Sequence, residues 1–207
     1  MSTTLLVHYL PRGEYSNTKK LVDAFKASAD GKTEIIEHDL IAHPPEMFLR
    51  DNLMAYVMRN MAGQNKPEYD QCLKNIDANV AEIKRASHLV IAFPMYNFSV
   101  PAVVKAWMDT VIIAGETFSM DPITHQFTPL LSGHALILST AGGLGYVDGP
   151  MQAMDHGRTL VSHAMGFIGY KSVRVEVDGA NAMAKDDYDQ ALNGAKQRIN
   201  TVVDSWY

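Results

Sequence analysis

Short runs of consecutive apolar residues alternate along this chain with longer stretches of helical periodicity. Residues 4–9, 88–93 and 135–139 are almost continuously apolar, the pattern of strands buried on both faces of a parallel sheet. Residues 33–38 alternate polar and apolar positions and predict an edge strand, and residues 172–177 predict a fifth strand. Between them, helical patterns run over residues 17–28, 45–61 (rich in Met), 68–86, 101–114, 150–165 and 184–205, with a short excursion around Asp121 and Pro122. Five short strands separated by helices predict an α/β fold with a doubly wound, five-stranded parallel sheet. No repeat, low-complexity tract or linker divides the chain, so residues 1–207 are expected to form a single domain.

Composition narrows the class without naming the chemistry. Hydrophobic residues make up 47% and charged residues 20% of the 207 positions, the balance of an ordinary globular protein. A net charge of −5 leaves no electrostatic footprint for nucleic acid or an anionic membrane. A single cysteine, Cys72, excludes an internal disulfide framework and points to a reducing cytoplasm. The start of the chain lacks a basic, cleavable leader, and no apolar run approaches the ~20 residues of a membrane span. The expectation is a soluble intracellular protein.

Three loops then fall at the carboxyl ends of three strands, the edge where open α/β sheets bind ligands. The first follows residues 4–9 and reads Leu10-Pro11-Arg12-Gly13-Glu14-Tyr15-Ser16-Asn17-Thr18. Gly13 permits a tight turn, and Ser16, Asn17 and Thr18 arrive as a helix begins, where free N–H groups favour an anion. Each could also serve as a plain N-cap. Lys19 and Lys20 occupy the first turn, the unfavourable end for cations, and a bound anion or solvation accounts for them. Neither G-x-G-x-x-G nor G-x-x-x-x-G-K-[ST] occurs, so the loop suits a phosphate monoester better than a pyrophosphate.

The second loop, Pro94-Met95-Tyr96-Asn97-Phe98-Ser99-Val100-Pro101, is bounded by two prolines. The first ends the strand and the second suits the first turn of a helix. Between them an amide, two aromatics and free backbone N–H groups fit a planar ligand with hydrogen-bonding edges, such as a flavin. The third loop, Thr140-Ala141-Gly142-Gly143-Leu144-Gly145, uses glycine either for positive φ or to let backbone N–H groups approach a ligand. Together the loops favour FMN over NAD or FAD as resident ligand. The eight histidines show no metal-ligand spacing, His156 and His163 share at most a helix face, and Ser139 and Ser162 lack a nucleophile context. No side chain is required as nucleophile, as expected where a cofactor carries the chemistry.

These segments, with Asp148-Gly149-Pro150 and Gly166-Phe167-Ile168-Gly169, resemble those of the FMN-dependent NADH-azoreductases, similar to quinone reductases of the flavodoxin-like fold. Nearly the whole chain takes part, and Met95-Tyr96-Asn97-Phe98 is the most specific match. The resemblance implies that Ser16, Asn17 and Thr18 hold the FMN phosphate, that Pro94, Met95, Tyr96, Asn97 and Phe98 border the ring, and that Thr140, Ala141, Gly142 and Gly143 touch its polar edge. Leu10, also in the implied cofactor-binding set, stands where the family commonly places serine, and Ala141 stands where some members carry arginine. The implied activity passes two electrons from NADH or NADPH to a small aromatic acceptor, a quinone or azo compound, in a ping-pong sequence. Rival readings are a flavodoxin-type electron carrier and a flavin-free interaction domain.

Residues 102–114 are apolar almost all round, interrupted by Lys105, Asp109 and Thr110. A helix on a sheet needs one apolar stripe, so a second face requires cover. An adjacent helix of the same chain would supply it; the resemblance points instead to a homodimer across a two-fold axis. Met47, Met54, Met58 and Met61 are expected near one helical face, where they would line the pocket adaptably.

Overall fold

In the computed structural model, which describes residues 2–207, the five main strands are β1 (Ser2–His8), β2 (Thr33–Asp39), β3 (His88–Pro94), β6 (Gly133–Thr140) and β7 (Tyr170–Val177). They form one parallel sheet in the order β2-β1-β3-β6-β7. The chain winds outward from β1 to β2, then returns to β3 and continues the other way, which places a topological switch point between β1 and β3.

Alternation along the strands sends side chains to two separate cores. Leu5, Val7, Leu89, Ile91, Phe93, Ala135 and Ile137 face α3 (Pro67–Arg85), α4 (Ala102–Val111) and α5 (His156–Phe167). Leu6, Val90, Ala92, Leu136 and Leu138 face α1 (Asn17–Ala29) and α6 (Lys185–Trp206). Both faces of the central strands are therefore dry, which is why they read as unbroken apolar runs.

The structure departs from the expected elements in four places. The segment 45–61 is not one helix. Pro44 and Pro45 precede an irregular stretch, α2 covers only Arg50–Tyr56, and Val57–Met61 widens into a π turn closed by Ala62 N–H donating to the Val57 carbonyl at 2.9 Å. The helix expected from residue 150 begins at His156, after a 3₁₀ turn at Gln152–Met154, because Asp155 is the cap: its carboxylate accepts the Arg158 N–H at 3.1 Å. The excursion near Asp121 is a hairpin of β4 (Phe118–Met120) and β5 (Phe127–Pro129). The Asp121 carboxylate accepts the N–H groups of Ile123 and Thr124 at 2.8 and 2.7 Å, an Asx-type turn.

The fourth departure concerns α4, which is shorter than 101–114 and finds most of its cover within the chain. Val104, Trp107, Met108 and Val111 enter the sheet core. Thr110 on another face is met by α3, where Asn79 Nδ2 donates to its hydroxyl at 2.9 Å. The apolar all-round pattern thus has an explanation inside one subunit.

Candidate active site

Register brings the three loops to one level. His8 of β1 pairs with Ala92 of β3, and Pro94 of β3 pairs with Thr140 of β6. Each strand therefore ends within a residue or two of its neighbour, and loops 10–18, 94–100 and 140–145 rise side by side over the switch point.

In the first loop, the Leu10 carbonyl accepts the Gly13 N–H at 2.9 Å, and Gly13 takes φ +51° to make the turn. The Leu10 side chain packs against the core on the α1–α6 face. Ser16 is buried and caps α1, its hydroxyl oxygen accepting the Lys19 N–H at 3.3 Å, which leaves its own hydrogen free to donate. Asn17 and Thr18 open the helix, where N–H groups have no preceding turn to bond. Thr18 is wholly buried, and its hydroxyl shares a 2.7 Å hydrogen bond with that of Thr140, tying the first loop to the third. The two lysines need no bound anion. Lys19 pairs with Asp23 at 2.8 Å and Glu14 at 3.4 Å, and Lys20 donates to Asn17 Oδ1 at 3.0 Å.

The second loop reverses in a tight turn. Tyr96 and Ser99 exchange both backbone hydrogen bonds at 2.9 Å, with Asn97 and Phe98 between them at φ +46° and +68°. Two consecutive positive φ values are the signature of a type I′ turn, usually built from glycine or asparagine. Phenylalanine there is strained, and such strain clusters at ligand sites. The Asn97 and Phe98 N–H groups donate to no protein acceptor among the described residues. The turn is braced from below, since His156 N–H donates to the Phe98 carbonyl at 2.8 Å. Gly157 sits so close that a Cβ there would stand 2.8 Å from the Ser99 carbonyl carbon.

In the third loop, all three carbonyls of Ala141, Gly142 and Gly143 are taken by the segment after β7: Ala180, Asn181 and Gly179 N–H donate to them at 3.3, 2.9 and 2.6 Å. The Gly142 and Gly143 N–H groups have no protein acceptor among the described residues. A Cβ at Gly142 would stand 2.6 Å from Asn181 Nδ2 and one at Gly143 3.0 Å from the Tyr146 ring, so those side chains would have to shift to admit it.

A cleft of about 200 Å³ runs between these loops, lined by Pro11, Arg12, Ser16, Asn17, Thr18, Pro94, Met95, Tyr96, Thr140, Ala141, Gly142, Ala180 and Asn181. Most of the residues singled out in the sequence meet there. Leu10 does not, being turned to the core, and Asn97, Phe98 and Gly143 are not among the lining residues although they belong to the same two loops. Ala180 and Asn181 had no motif to mark them; the only cue was the turn dipeptide Asp178-Gly179 after a strand. The methionines at 47, 54, 58 and 61 do not line the cleft, and Met47, Met54 and Met61 are exposed.

Beneath the third loop lies a buried charge cluster. The Arg158 guanidinium contacts Asp155, Glu176 and the Tyr146 carbonyl. Burial pushes the Glu176 carboxyl above its usual range, and the nearby Arg158 opposes that shift. Asp178 completes the support by accepting the Tyr146 and Val147 N–H groups at 2.6 and 3.0 Å. The charged groups thus brace Tyr146 and Val147 just after the loop, while the backbone bonds from 179–181 hold its glycines.

The flavodoxin-like fold family profile matches residues 2–203. The chain belongs to this family. The FMN-dependent NAD(P)H:quinone oxidoreductase 1 of Pseudomonas aeruginosa is 32% identical over 206 residues, covering 96% of this chain and 97% of that one. Among solved structures, an azoreductase from Bacillus anthracis superposes with a TM-score of 0.87 at 23% identity over 99% of this chain and 100% of its own. An FMN-dependent NADH-azoreductase of the same species, solved in complex with FMN, gives 0.80 at 19% identity, covering 99% of each chain. At those identities the structural matches speak for the fold. Among the described residues no group of side chains is arranged to hold a metal ion, and no helix is long and apolar enough to cross a membrane.

Proposed function

We propose that this protein is an FMN-dependent oxidoreductase that passes two electrons from NADH or NADPH to quinones or azo compounds. The observation that carries this reading is a cleft lined by a capped helix start and by the second and third loops, which carry two pairs of unpartnered backbone amides. The donor set fits FMN: one helix terminus with the Ser16 hydroxyl suits a phosphate monoester, and four amides at the other end suit the heteroatom edge of a flat ring. The name and the near-complete overlap of the Pseudomonas relative support the same reading.

FMN, when bound, supplies the two-electron chemistry, and the chain supplies orientation and electrostatics. The start of α1, with Ser16, Asn17 and Thr18, anchors the anionic end. The Asn97 and Phe98 amides fix one ring edge. The Gly142 and Gly143 amides would offer fixed donors to negative charge on a pyrimidine-type ring edge, an oxyanion-hole arrangement. Tyr96 and Phe98, exposed at the mouth, offer flat apolar contact to nicotinamide and acceptor in turn, as a ping-pong sequence requires.

The working form is proposed to be a cytoplasmic homodimer. Exposed Met47, Leu49, Leu53, Met54 and Met61 on one stretch of chain support an interaction surface. Sedimentation should report about twice the 22.9 kDa chain mass, and a fully active monomer would contradict it.

The test is to reconstitute the purified protein with FMN and add NADH under nitrogen. Rapid loss of the yellow absorbance, restored by a quinone, is the expected result. Bound FMN that does not react with NADH would favour an electron carrier, and failure to bind FMN would favour an interaction domain.

A further inference from the structure

We propose that Asn181, on the segment after β7, is a ligand-contacting residue of the cleft that sets the electrostatics of its glycine edge. The inference rests on the FMN reading above and extends it to a fourth loop. Gly179, Ala180 and Asn181 lie along Ala141, Gly142 and Gly143 and take all three of their carbonyls, at 2.6, 3.3 and 2.9 Å. With those carbonyls held on one side, the Gly142 and Gly143 N–H groups are directed away from the 179–181 segment.

The Asn181 side chain then does something the backbone ladder does not require. Its Nδ2 occupies the space a Cβ on Gly142 would need, 2.6 Å away, so the amide lies directly against the glycine whose N–H is unpartnered. It lines the same cleft as Arg12, Ser16 and Thr140. No hydrogen bond to its side-chain amide forms within the protein among the described residues. Asn181 is exposed, so its amide is open to solvent and equally to a ligand seated in the cleft it lines. Being neutral and carrying both donor and acceptor, it suits a ring edge of alternating N–H and carbonyl groups.

Changing Asn181 should therefore alter how strongly the cleft prefers an electron-rich ring over an electron-poor one. In Asn181→Asp a carboxylate would face that edge and repel added negative charge. The ratio of dissociation constants for reduced and oxidised FMN should rise about tenfold against the wild type. That corresponds to a midpoint potential of bound FMN lowered by about 30 mV for a two-electron couple. Asn181→Ala should weaken both forms while leaving the thermal midpoint of the apoprotein unchanged, since the side chain holds nothing in the fold. Potentials of bound FMN equal to wild type in both variants would overturn the proposal. So would loss of apoprotein stability without a change in potential, which would mark Asn181 as structural. Failure of the wild-type protein to bind FMN would instead defeat the underlying reading, and that outcome is visible before any variant is made.

Discussion

Asn97 and Phe98 hold left-handed backbone at φ +46° and +68°, a conformation that costs a residue bearing a Cβ roughly 1–2 kcal/mol. Asparagine tolerates it; phenylalanine does so only against strain. Phe98 is 40% exposed, so its ring contributes little buried area in return. Phe98→Gly should therefore raise the thermal midpoint, by about 2–4 °C for each kcal/mol relieved, while weakening FMN binding and turnover because the ring at the mouth is gone. Calorimetry beside a flavin titration checks both; a variant that loses stability would remove the strain argument. Sequence made this loop visible through its two prolines, yet no glycine announced a left-handed turn. The phosphate-type loop was legible through Ser16, Asn17 and Thr18. The hydroxyl link from Thr18 to Thr140, 122 positions away, was not, because such contacts exist only once the sheet order is set.

At the scale of elements, the start of α5 acts as a buttress. His156 donates to Phe98, and Gly157 lets helix backbone lie directly against Ser99 and Val100. Gly157→Ala would drive a methyl into backbone atoms 2.8–2.9 Å away, with an overpacking cost of about 1–3 kcal/mol. The expected outcome is a lowered melting temperature together with weaker flavin binding, as the turn is displaced. Binding unchanged at reduced stability would show that the turn holds itself. The buttress was hidden in the sequence because Pro150 imitates a helix start ahead of the capping Asp155. The long strands were plain because burial on both faces leaves a continuous apolar signature. The 45–61 segment misled because its methionine spacing suits a helix, while residues 45–49 stay irregular and α2 starts only at Arg50.

For the whole molecule, three unbroken apolar runs mark β1, β3 and β6 as strands buried on both faces, and their alternation divides the two cores. The order β2-β1-β3-β6-β7 emerges only in the structure. The sheet end remote from the cleft carries its own titratable contact. His88 stacks on Trp206 at 4.8 Å and lies 6.1 Å from the His134 ring. Burial, and then His134, hold the His88 pKa below its ordinary value, although the indole face offsets part of that cost. A depressed histidine pKa means the unfolded chain binds the extra proton first. Its contribution is fully present above about pH 6.5 and is lost as pH falls from there through the folded value. The thermal midpoint should drop more steeply for wild type than for His88→Gln between about pH 7.5 and about pH 5.5. Parallel curves would show that His88 titrates as in the unfolded chain.

The claim on which the rest depends is that the cleft holds FMN by its phosphate at the start of α1 and by its ring between the second and third loops. Titrating the apoprotein with FMN and with riboflavin, which differ only by that phosphate, tests it most directly. Each charge-assisted hydrogen bond to the phosphate is worth about 1.5–3 kcal/mol, so two or more predict riboflavin binding weaker by at least about a hundredfold. Ser16→Ala should narrow the gap from the FMN side and leave riboflavin affinity unchanged. Equal affinity for the two flavins would contradict the account.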